Sequence, residues 1–303
     1  MDNKLFVSVD MDDWYLARWA TGSEKAIWSD LSSCFQNVYK QSTPPKNLYK
    51  PTDKILELFD SLNFKSTFFF TAYIAKIYPD LVKNIANAGH EIGCHNFYHL
   101  DYEYEDRQKF KKDLIESKQY LEDLSGQQII GYRSPNSSIP KYLVEDLIEA
   151  EFKYDSSVTP TRRIMGKFGK FTNAPRKPYY TKGDDIGSSG NSTLMELPWA
   201  VFPYFKLPAG SGIMHRIGGN LYNTISVKDS LNRGHTSYYF HPYELNQLDE
   251  LKNVPLPFKA KFFLRRSGNT YYENLKLFLT KNADRLINGE NLFRIVRQEI
   301  KLG

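Results

Sequence analysis

The sequence predicts an α/β fold built on a mainly parallel sheet or barrel, and three observations carry that expectation. Short apolar runs alternate with amphipathic segments along the chain, the strand-then-helix order that makes strands parallel. The chain has 303 residues, 41% hydrophobic and 25% charged, enough to bury the core of one barrel or of two small domains; one domain over 1–303 is the reading favoured here. Aspartate, histidine and arginine residues gather where the apolar runs end, and parallel sheets and barrels expose their sites at the carboxyl ends of strands.

The first run, Leu5-Phe6-Val7-Ser8-Val9, reads as a buried strand that stops at Asp10-Met11-Asp12-Asp13-Trp14. Strand alternation puts Asp10 and Asp12 on one face and turns Asp13 away. Such a pair can divide labour, one carboxylate binding a metal while the other takes a proton from activated water. Taken alone, the stretch reads equally well as a polar loop capping the next segment. Residues 15–50, with Trp19, Trp28, Pro44 and Pro45, read as an irregular insertion on the mouth side, of the kind that acts as a lid or carries specificity. A helix comes next over about 52–62, its residues Ile55, Leu56, Leu58, Phe59 and Leu62 spaced for one buried face.

Ser66 to Thr71 reads as a second buried strand, and Pro79 to Ala88 as a helix stopped by Gly89. The short strand His90-Glu91-Ile92-Gly93 then leads into Cys94-His95-Asn96-Phe97-Tyr98-His99, so three of the six histidines fall within ten residues. On a helical turn the four-residue spacing of His95 and His99 puts both imidazoles on one face, able to grip one divalent ion. Histidines that merely pack and cap a loop are the commoner meaning of that spacing, and it is the surrounding strand order that favours a metal.

A helix over about 106–124, closed by Ser125-Gly126, precedes a strand, Ile129 to Tyr132, that ends in Arg133 and a proline-fixed turn, Ser134-Pro135-Asn136. Helix 142–150 and strand 152–155 repeat the rhythm. Residues 159–192, rich in Gly, Pro, Lys and Arg, read as a long surface excursion. Glu196-Leu197-Pro198-Trp199 and Leu207 to Gly212, including Gly210, read as the rim of a pocket. A late strand, Thr236 to Phe240, ends in His241-Pro242, where proline stops the ladder. Helices near 271–287 and 292–300 complete the chain as scaffold.

Composition excludes several classes. A net charge of +5 permits an acidic glycan or peripheral contact with a membrane surface but is far from a nucleic-acid footprint. No run of 18 apolar residues offers a transmembrane segment. The start, Met-Asp-Asn-Lys leading at once into a strand, lacks signal-peptide character, and two cysteines, Cys34 and Cys94, cannot form a disulfide framework; both point to a cytoplasmic protein. Aromatics reach 15%, enough to furnish sugar platforms, although most such rings belong in a core.

With Asp-x-Asp, His-x-x-x-His, Arg-x-Pro and a late strand-ending histidine in that order, the chain resembles the NodB-homology polysaccharide deacetylases, carbohydrate esterase family 4. The stretches Thr67-Phe68-Phe69, Gly89 to His95, Gly131 to Pro135, Tyr154 to Ser157, Leu207 to Gly212 and Phe240 to Leu245 are similar to the subgroup found in exopolysaccharide gene clusters. The resemblance implies a distorted (β/α) barrel, one catalytic divalent ion of the zinc kind and hydrolysis of an N-acetyl group on a sugar or glycan intermediate. It implies Asp12, His95 and His99 as metal ligands and Asp10 as general base. Arg133 would hold Asp10, and His241 would be the general acid. Pro135, Asn136, Trp199 and Gly210 are the positions expected to meet substrate.

Two departures stand out. Met11 separates two aspartates that are adjacent in common members, which leaves Asp13 open as a ligand. The family's Asp-Trp motif that tunes the acid histidine is missing, with Asp155 or Glu196 as substitutes. A metal-dependent hydrolase of another amide or formyl group, and an inactive sugar-binding relative, are the alternatives, because fold does not settle substrate.

Overall fold

The structure, a computed structural model, describes residues 2–21, 23, 26–163 and 169–302. Residues 22, 24 and 25 of the expected first insertion and 164–168 of the second lie outside the described residues. Among the described residues there are twelve strands: β1 (Leu5–Asp10), β2 (Thr67–Phe70), β3 (Glu91–Cys94), β4 (Gly131–Tyr132), β5 (Tyr154–Asp155), β6 (Tyr179–Lys182), β7 (Asp185–Ser189), β8 (Met195–Glu196), β9 (Val201–Phe202), β10 (Leu207–Pro208), β11 (Thr236–Phe240) and β12 (Leu286–Ile287). The helices are α1 (Leu31–Tyr39), α2 (Tyr49–Ser61), α3 (Ala72–Ile77), α4 (Pro79–Asn87), α5 (Arg107–Ser125), α6 (Leu143–Glu149), α7 (Gly212–Arg233), α8 (Phe258–Leu264), α9 (Asn269–Lys281) and α10 (Gly289–Leu302).

Seven strands run parallel in the order β11-β1-β2-β3-β4-β5-β8. After β8 the chain turns back onto the far end of the sheet, where Ala200 N–H donates to the Ser237 carbonyl at 3.0 Å and Trp199 bridges Ser237. Isolated bridges, from Trp199 to Ser237 and from Ser211 to Tyr239, thus close the circle where a full ladder would be expected, and the result is the distorted (β/α) barrel anticipated from the sequence.

Alternation along the strands sorts the side chains. Leu5, Val7 and Val9 of β1 join Phe68 and Phe70 of β2 in the large cluster against the helices. Phe6, Phe69, Tyr154, Met195 and Leu197 form a second cluster inside the curled sheet. Leu292, Phe293 and Val296 of α10 belong to that inner cluster. The start of α10 is tied to the amino ends of β2 and β3: Gly289 N–H donates to Thr67 Oγ1 at 2.8 Å, and Glu290 N–H to the buried Glu91 carboxylate at 2.9 Å. The C-terminal helix therefore plugs the amino end of the barrel and leaves the carboxyl end for chemistry.

Most expected boundaries fall within two residues of the observed ones, and the differences have local causes. Lys182-Gly183-Asp184-Asp185 turns a hairpin, β6–β7, inside the stretch expected to wander over the surface, and β6 pairs antiparallel with β8. The helix expected near 271–287 stops at Lys281, and Leu286–Ile287 instead pairs with β1 as β12. Four helices, α1, α3, α7 and α8, have no counterpart in the sequence reading. α1 begins at a capping box in which Asp30 accepts from Ser33 N–H. α7 begins where Ser211 accepts from Met214 N–H, and its 22 residues include Gly218 and Gly219, the latter at φ +81°, which breaks the apolar period. The insertion at 15–50 packs tightly: Trp14 stacks on Trp19 with ring centres 5.8 Å apart and meets Trp28 at 5.9 Å.

Candidate active site and metal centre

β1 ends at Asp10, and the chain folds sharply there, with Asp12 N–H bonded to the Asp10 carbonyl at 2.8 Å. A turn, where a continuing strand was expected, delivers Asp12. His95 and His99 also meet by a different route from the expected helical turn. Residues 95–99 form a loop in which Asn96 adopts φ +63°, a left-handed conformation that asparagine tolerates. Its carbonyl accepts from Ala72 N–H at 3.0 Å and from Ser117 Oγ at 2.8 Å, which fixes the bend. The two imidazoles come together with ring centres 5.3 Å apart.

Donor atoms of Asp12, His95 and His99 all lie within 4.8 Å of one another. Asp12 Oδ2 is 3.0 Å from His99 Nε2 and 3.4 Å from His95 Nε2. Because a carbonyl can only accept, the 2.6 Å contact between His95 Nδ1 and the Arg133 carbonyl places the ring proton on Nδ1. Nε2 of a neutral ring then presents a lone pair to a carboxylate oxygen, an arrangement that requires a proton or a cation between them. Both Asp12 carboxylate oxygens and His99 Nδ1 are buried without a hydrogen-bond partner. Burial pushes the Asp12 carboxyl up, but the two histidines more than offset this and hold it well below the usual carboxylate range. The residues fit a divalent ion held by two imidazoles and one carboxylate, the donor set of an open, catalytic centre.

Asp13 is not part of that cluster. Its Oδ1 accepts from Trp14 N–H at 2.8 Å and caps the short turn beyond it. Burial, with Glu250 and Asp12 nearby, pushes its carboxyl up to about 8. His90, the third histidine of the motif, accepts from Ser66 N–H at 3.0 Å and is pushed down to about 4, chiefly by burial, as befits a neutral structural ring.

Arg133 joins the two halves of the site. Its Nη1 donates to Asp10 Oδ1 at 2.6 Å and to Ser8 Oγ at 2.8 Å, and its Nε and Nη2 reach the carbonyl and hydroxyl of Ser156. Four rings surround the guanidinium, Phe69 at 4.4 Å, Tyr239 at 5.0 Å, Trp199 at 5.7 Å and Phe6 at 6.0 Å, so it is held by cation–π contact as well as hydrogen bonds. Trp199, expected at the substrate rim, is buried as a wall of this box and donates its Nε1–H to the Ser156 carbonyl at 3.0 Å. Gly210, at φ +70°, lies so close to the backbones of Ala200 and Ser237 that a Cβ there would clash, while its carbonyl accepts from Tyr239 N–H. Pro135 is buried at the head of the short turn 135–137, and Asn136 is left-handed, with its Nδ2 buried and unpartnered.

His241 comes directly after β11, and its Nδ1 lies 2.8 Å from Glu244 Oε1. Glu244 is fully buried and carries Arg216 on its other oxygen, at 2.7 Å. Burial lowers the affinity of the His241 ring for a proton, yet the Glu244 carboxylate more than offsets it and raises the ring above its ordinary value. Neither expected tuning acid is there. Strand alternation turns Tyr154 and Met195 into the barrel, and Asp155 and Glu196 the other way, where Asp155 accepts from Ser157 and Glu196 from Val158 N–H. The signal that finds Glu244 in the sequence is His241-Pro242-Tyr243-Glu244, an i,i+3 pair on one short turn opened by proline. Arg216, on the unanticipated α7, left no comparable signal.

Comparison with known proteins agrees with this geometry. Residues 43–154 match the family model described as polysaccharide deacetylase. A peptidoglycan deacetylase of Helicobacter pylori is 26% identical over 146 residues, 48% of this chain and 45% of that protein. The peptidoglycan-N-acetylmuramic acid deacetylase PdaA of Bacillus subtilis is 25% identical over 124 residues, 41% of this chain and 43% of that protein. The chain spans under half the length of the curated relatives it matches. Among solved structures, a putative polysaccharide deacetylase from Mycobacterium smegmatis superposes with a TM-score of 0.62 at 19% identity, covering 99% of this chain and 92% of that one. The Puue allantoinase superposes at 0.57 and 17% identity, covering 96% and 88%. At these identities the structural likeness shows the fold.

Proposed function

We propose that this chain, whose residues 43–154 match the polysaccharide deacetylase family model, is a metal-dependent hydrolase that removes an N-acetyl group from a sugar. The observation that carries this reading is the centre itself, in which three donor atoms converge and the Asp12 oxygens, both buried, have no hydrogen-bond partner. A divalent ion, zinc being the first choice for two imidazoles and one carboxylate, would supply Lewis-acid polarisation of the amide carbonyl and of water.

The chain's own residues do the rest. Arg133 engages Asp10 Oδ1, which leaves Oδ2 to take the proton of the attacking water. With Nδ1 of His241 committed to Glu244, Nε2 is the nitrogen that gives a proton to the leaving amine; without it the C–N bond of a tetrahedral adduct cannot break. Glu244, backed by Arg216, orients that imidazole and raises its affinity for a proton. Arg133 does two jobs at once, because its carbonyl sets the His95 tautomer while its side chain sets Asp10.

For the substrate we propose an N-acetylated intermediate of surface polysaccharide assembly, nucleotide-linked, lipid-linked or a short glycan, processed in the cytoplasm. The motif similarity to the exopolysaccharide subgroup, the +5 charge and the two free thiols support it. Acetate release by metal-loaded protein tests the reading on nucleotide-linked and lipid-linked N-acetyl sugars, chitin oligomers and peptidoglycan. A cyclic amide belongs in the panel because the allantoinase shares the fold. Preference for an extracellular polymer would overturn the substrate and compartment; turnover of the cyclic amide alone would overturn the deacetylase.

A further inference from the structure

Helix α8 and its flanks, Asn253-Val254-Pro255-Leu256-Pro257-Phe258-Lys259-Ala260-Lys261-Phe262-Phe263-Leu264-Arg265-Arg266, hold four cations and no acidic residue. None of Lys259, Lys261, Arg265 and Arg266 forms an ion pair among the described residues; all four are exposed, and Arg266 also donates from Nη1 to the Arg216 carbonyl at 3.3 Å. The helical period gives the segment two faces. Ala260, fully buried, and Leu264, packed against the core, hold the helix to the body of the protein. On the opposite side Phe258 is 82% exposed and lies parallel to Phe262, their ring centres 6.3 Å apart. Lys259 and Lys261 flank this aromatic stripe on either side, both exposed, and Arg265 covers the Phe262 ring at 5.9 Å.

A large aromatic side chain left in water costs free energy that neither catalysis nor packing recovers here. An aromatic ridge between cations is the pattern of segments that lie in the interface of an anionic bilayer, rings in the headgroup boundary and lysines reaching to the phosphates. No helix of the described residues is long and apolar enough to cross a membrane, so contact of this kind would be peripheral. We propose that α8 docks the protein on an anionic lipid surface. The segment is placed to matter for the site: the Arg265 carbonyl accepts from Arg216 Nη1 at 2.7 Å, and Arg216 in turn holds Glu244 behind His241. Docking through α8 thus brings the lipid surface to the side of the barrel mouth that carries His241. The inference stands independently of the activity proposed above.

The test is co-sedimentation of the full chain with vesicles of phosphatidylcholine alone and of phosphatidylcholine mixed with phosphatidylglycerol. Binding is expected only to the anionic vesicles, and it should fall as salt is raised. Lys259→Gln and Lys261→Gln should each weaken it about fivefold, and Phe258→Ser about tenfold. Phe258 is 82% exposed, so the melting temperature should stay at the wild-type value, which separates lost docking from lost folding. Absence of binding to either vesicle, or binding that these variants leave unchanged, overturns the proposal. So does a concentration-dependent dimer in light scattering that Phe258→Ser abolishes, since a second copy would then own the ridge.

Discussion

Replacing Glu244 by glutamine keeps the shape of the site and removes the charge that faces His241. Two consequences can be worked from the structure. Glu244 accepts from the His241 ring at 2.8 Å and from the His241 backbone N–H at 3.0 Å, and the ring lies above its ordinary value on that account. A charged hydrogen bond of this kind contributes about 1.5–3 kcal/mol, or about one to two pH units of proton affinity. An acid must be protonated to act, so activity falls as pH rises through its pKa. In Glu244→Gln the high-pH limb of kcat/KM should therefore move down by about one to two units. The second consequence is structural, because Arg216 is left as an uncompensated buried cation, a loss of about 3–5 kcal/mol. Glu244→Gln/Arg216→Met removes that cation and should recover most of the melting temperature while keeping the displaced limb. The assay is a pH profile of acetate release with metal in excess, alongside thermal melts of both variants. A limb that stays in place in the double variant while stability recovers would refute the role given to Glu244.

Other substitutions probe the remaining parts. Asp10→Asn should retain the metal and lose about two to four orders of magnitude in rate; loss of metal on titration would show Asp10 to be a ligand. His99→Ala should abolish both tight metal binding, read by calorimetry on stripped protein, and turnover, whereas His241→Ala should spare the metal, lose most of the turnover and erase the high-pH limb. Gly93 lies against the Phe69 ring that supports Arg133, so Gly93→Ala should cost about 1–3 kcal/mol by overpacking, measured by denaturant titration. Burial raises Glu91 from the ordinary 4.5 to about 7. The folded state therefore binds the extra proton in that window, and wild-type stability should fall as pH rises through it and level off above. Glu91→Gln should flatten that dependence, and a melting temperature that varies identically in both proteins would show that the slope comes from elsewhere.

The residues that could be read from the sequence are those whose role depends on where a strand ends. Asp10, Arg133 and His241 each stand at or just beyond the carboxyl end of a parallel strand, so strand assignment alone sends them to one end of the barrel. The convergence of His95 and His99 was legible by spacing but through the wrong intermediate, since they meet across a loop bent at Asn96. The residues that stayed hidden depend on tertiary approach. Arg216 sits on a helix whose period is broken by Gly218 and Gly219, and nothing in its neighbourhood announces a buried ion pair. Trp199 reads from the sequence as part of the pocket rim; only the box around the Arg133 guanidinium shows that it is a wall. Asp155 and Glu196 stood as substitutes for the missing Asp-Trp motif, and one step of strand alternation puts them on the other side.

The plug at the amino end of the barrel bears on how the molecule is made. Gly289 bonds Thr67 across 222 residues, and β11, which carries the chain to His241, must be laid beside β1 at the opposite extreme of the sequence. Contacts of such long range are formed late, after the entropy of closing large loops has been met. A nascent chain that has already presented Asp12, His95 and His99 has neither the floor nor the far wall of its barrel, so the inner faces of β1, β2 and β3 stay open to water until α10 arrives. Folding intermediates are accordingly expected to expose Phe6 and Phe69, the ring on which Arg133 rests. The candidate site then comes together in one order: Asp12, His95 and His99 are synthesised first, His241 joins when β11 pairs, and the helix that fills the barrel from below arrives last.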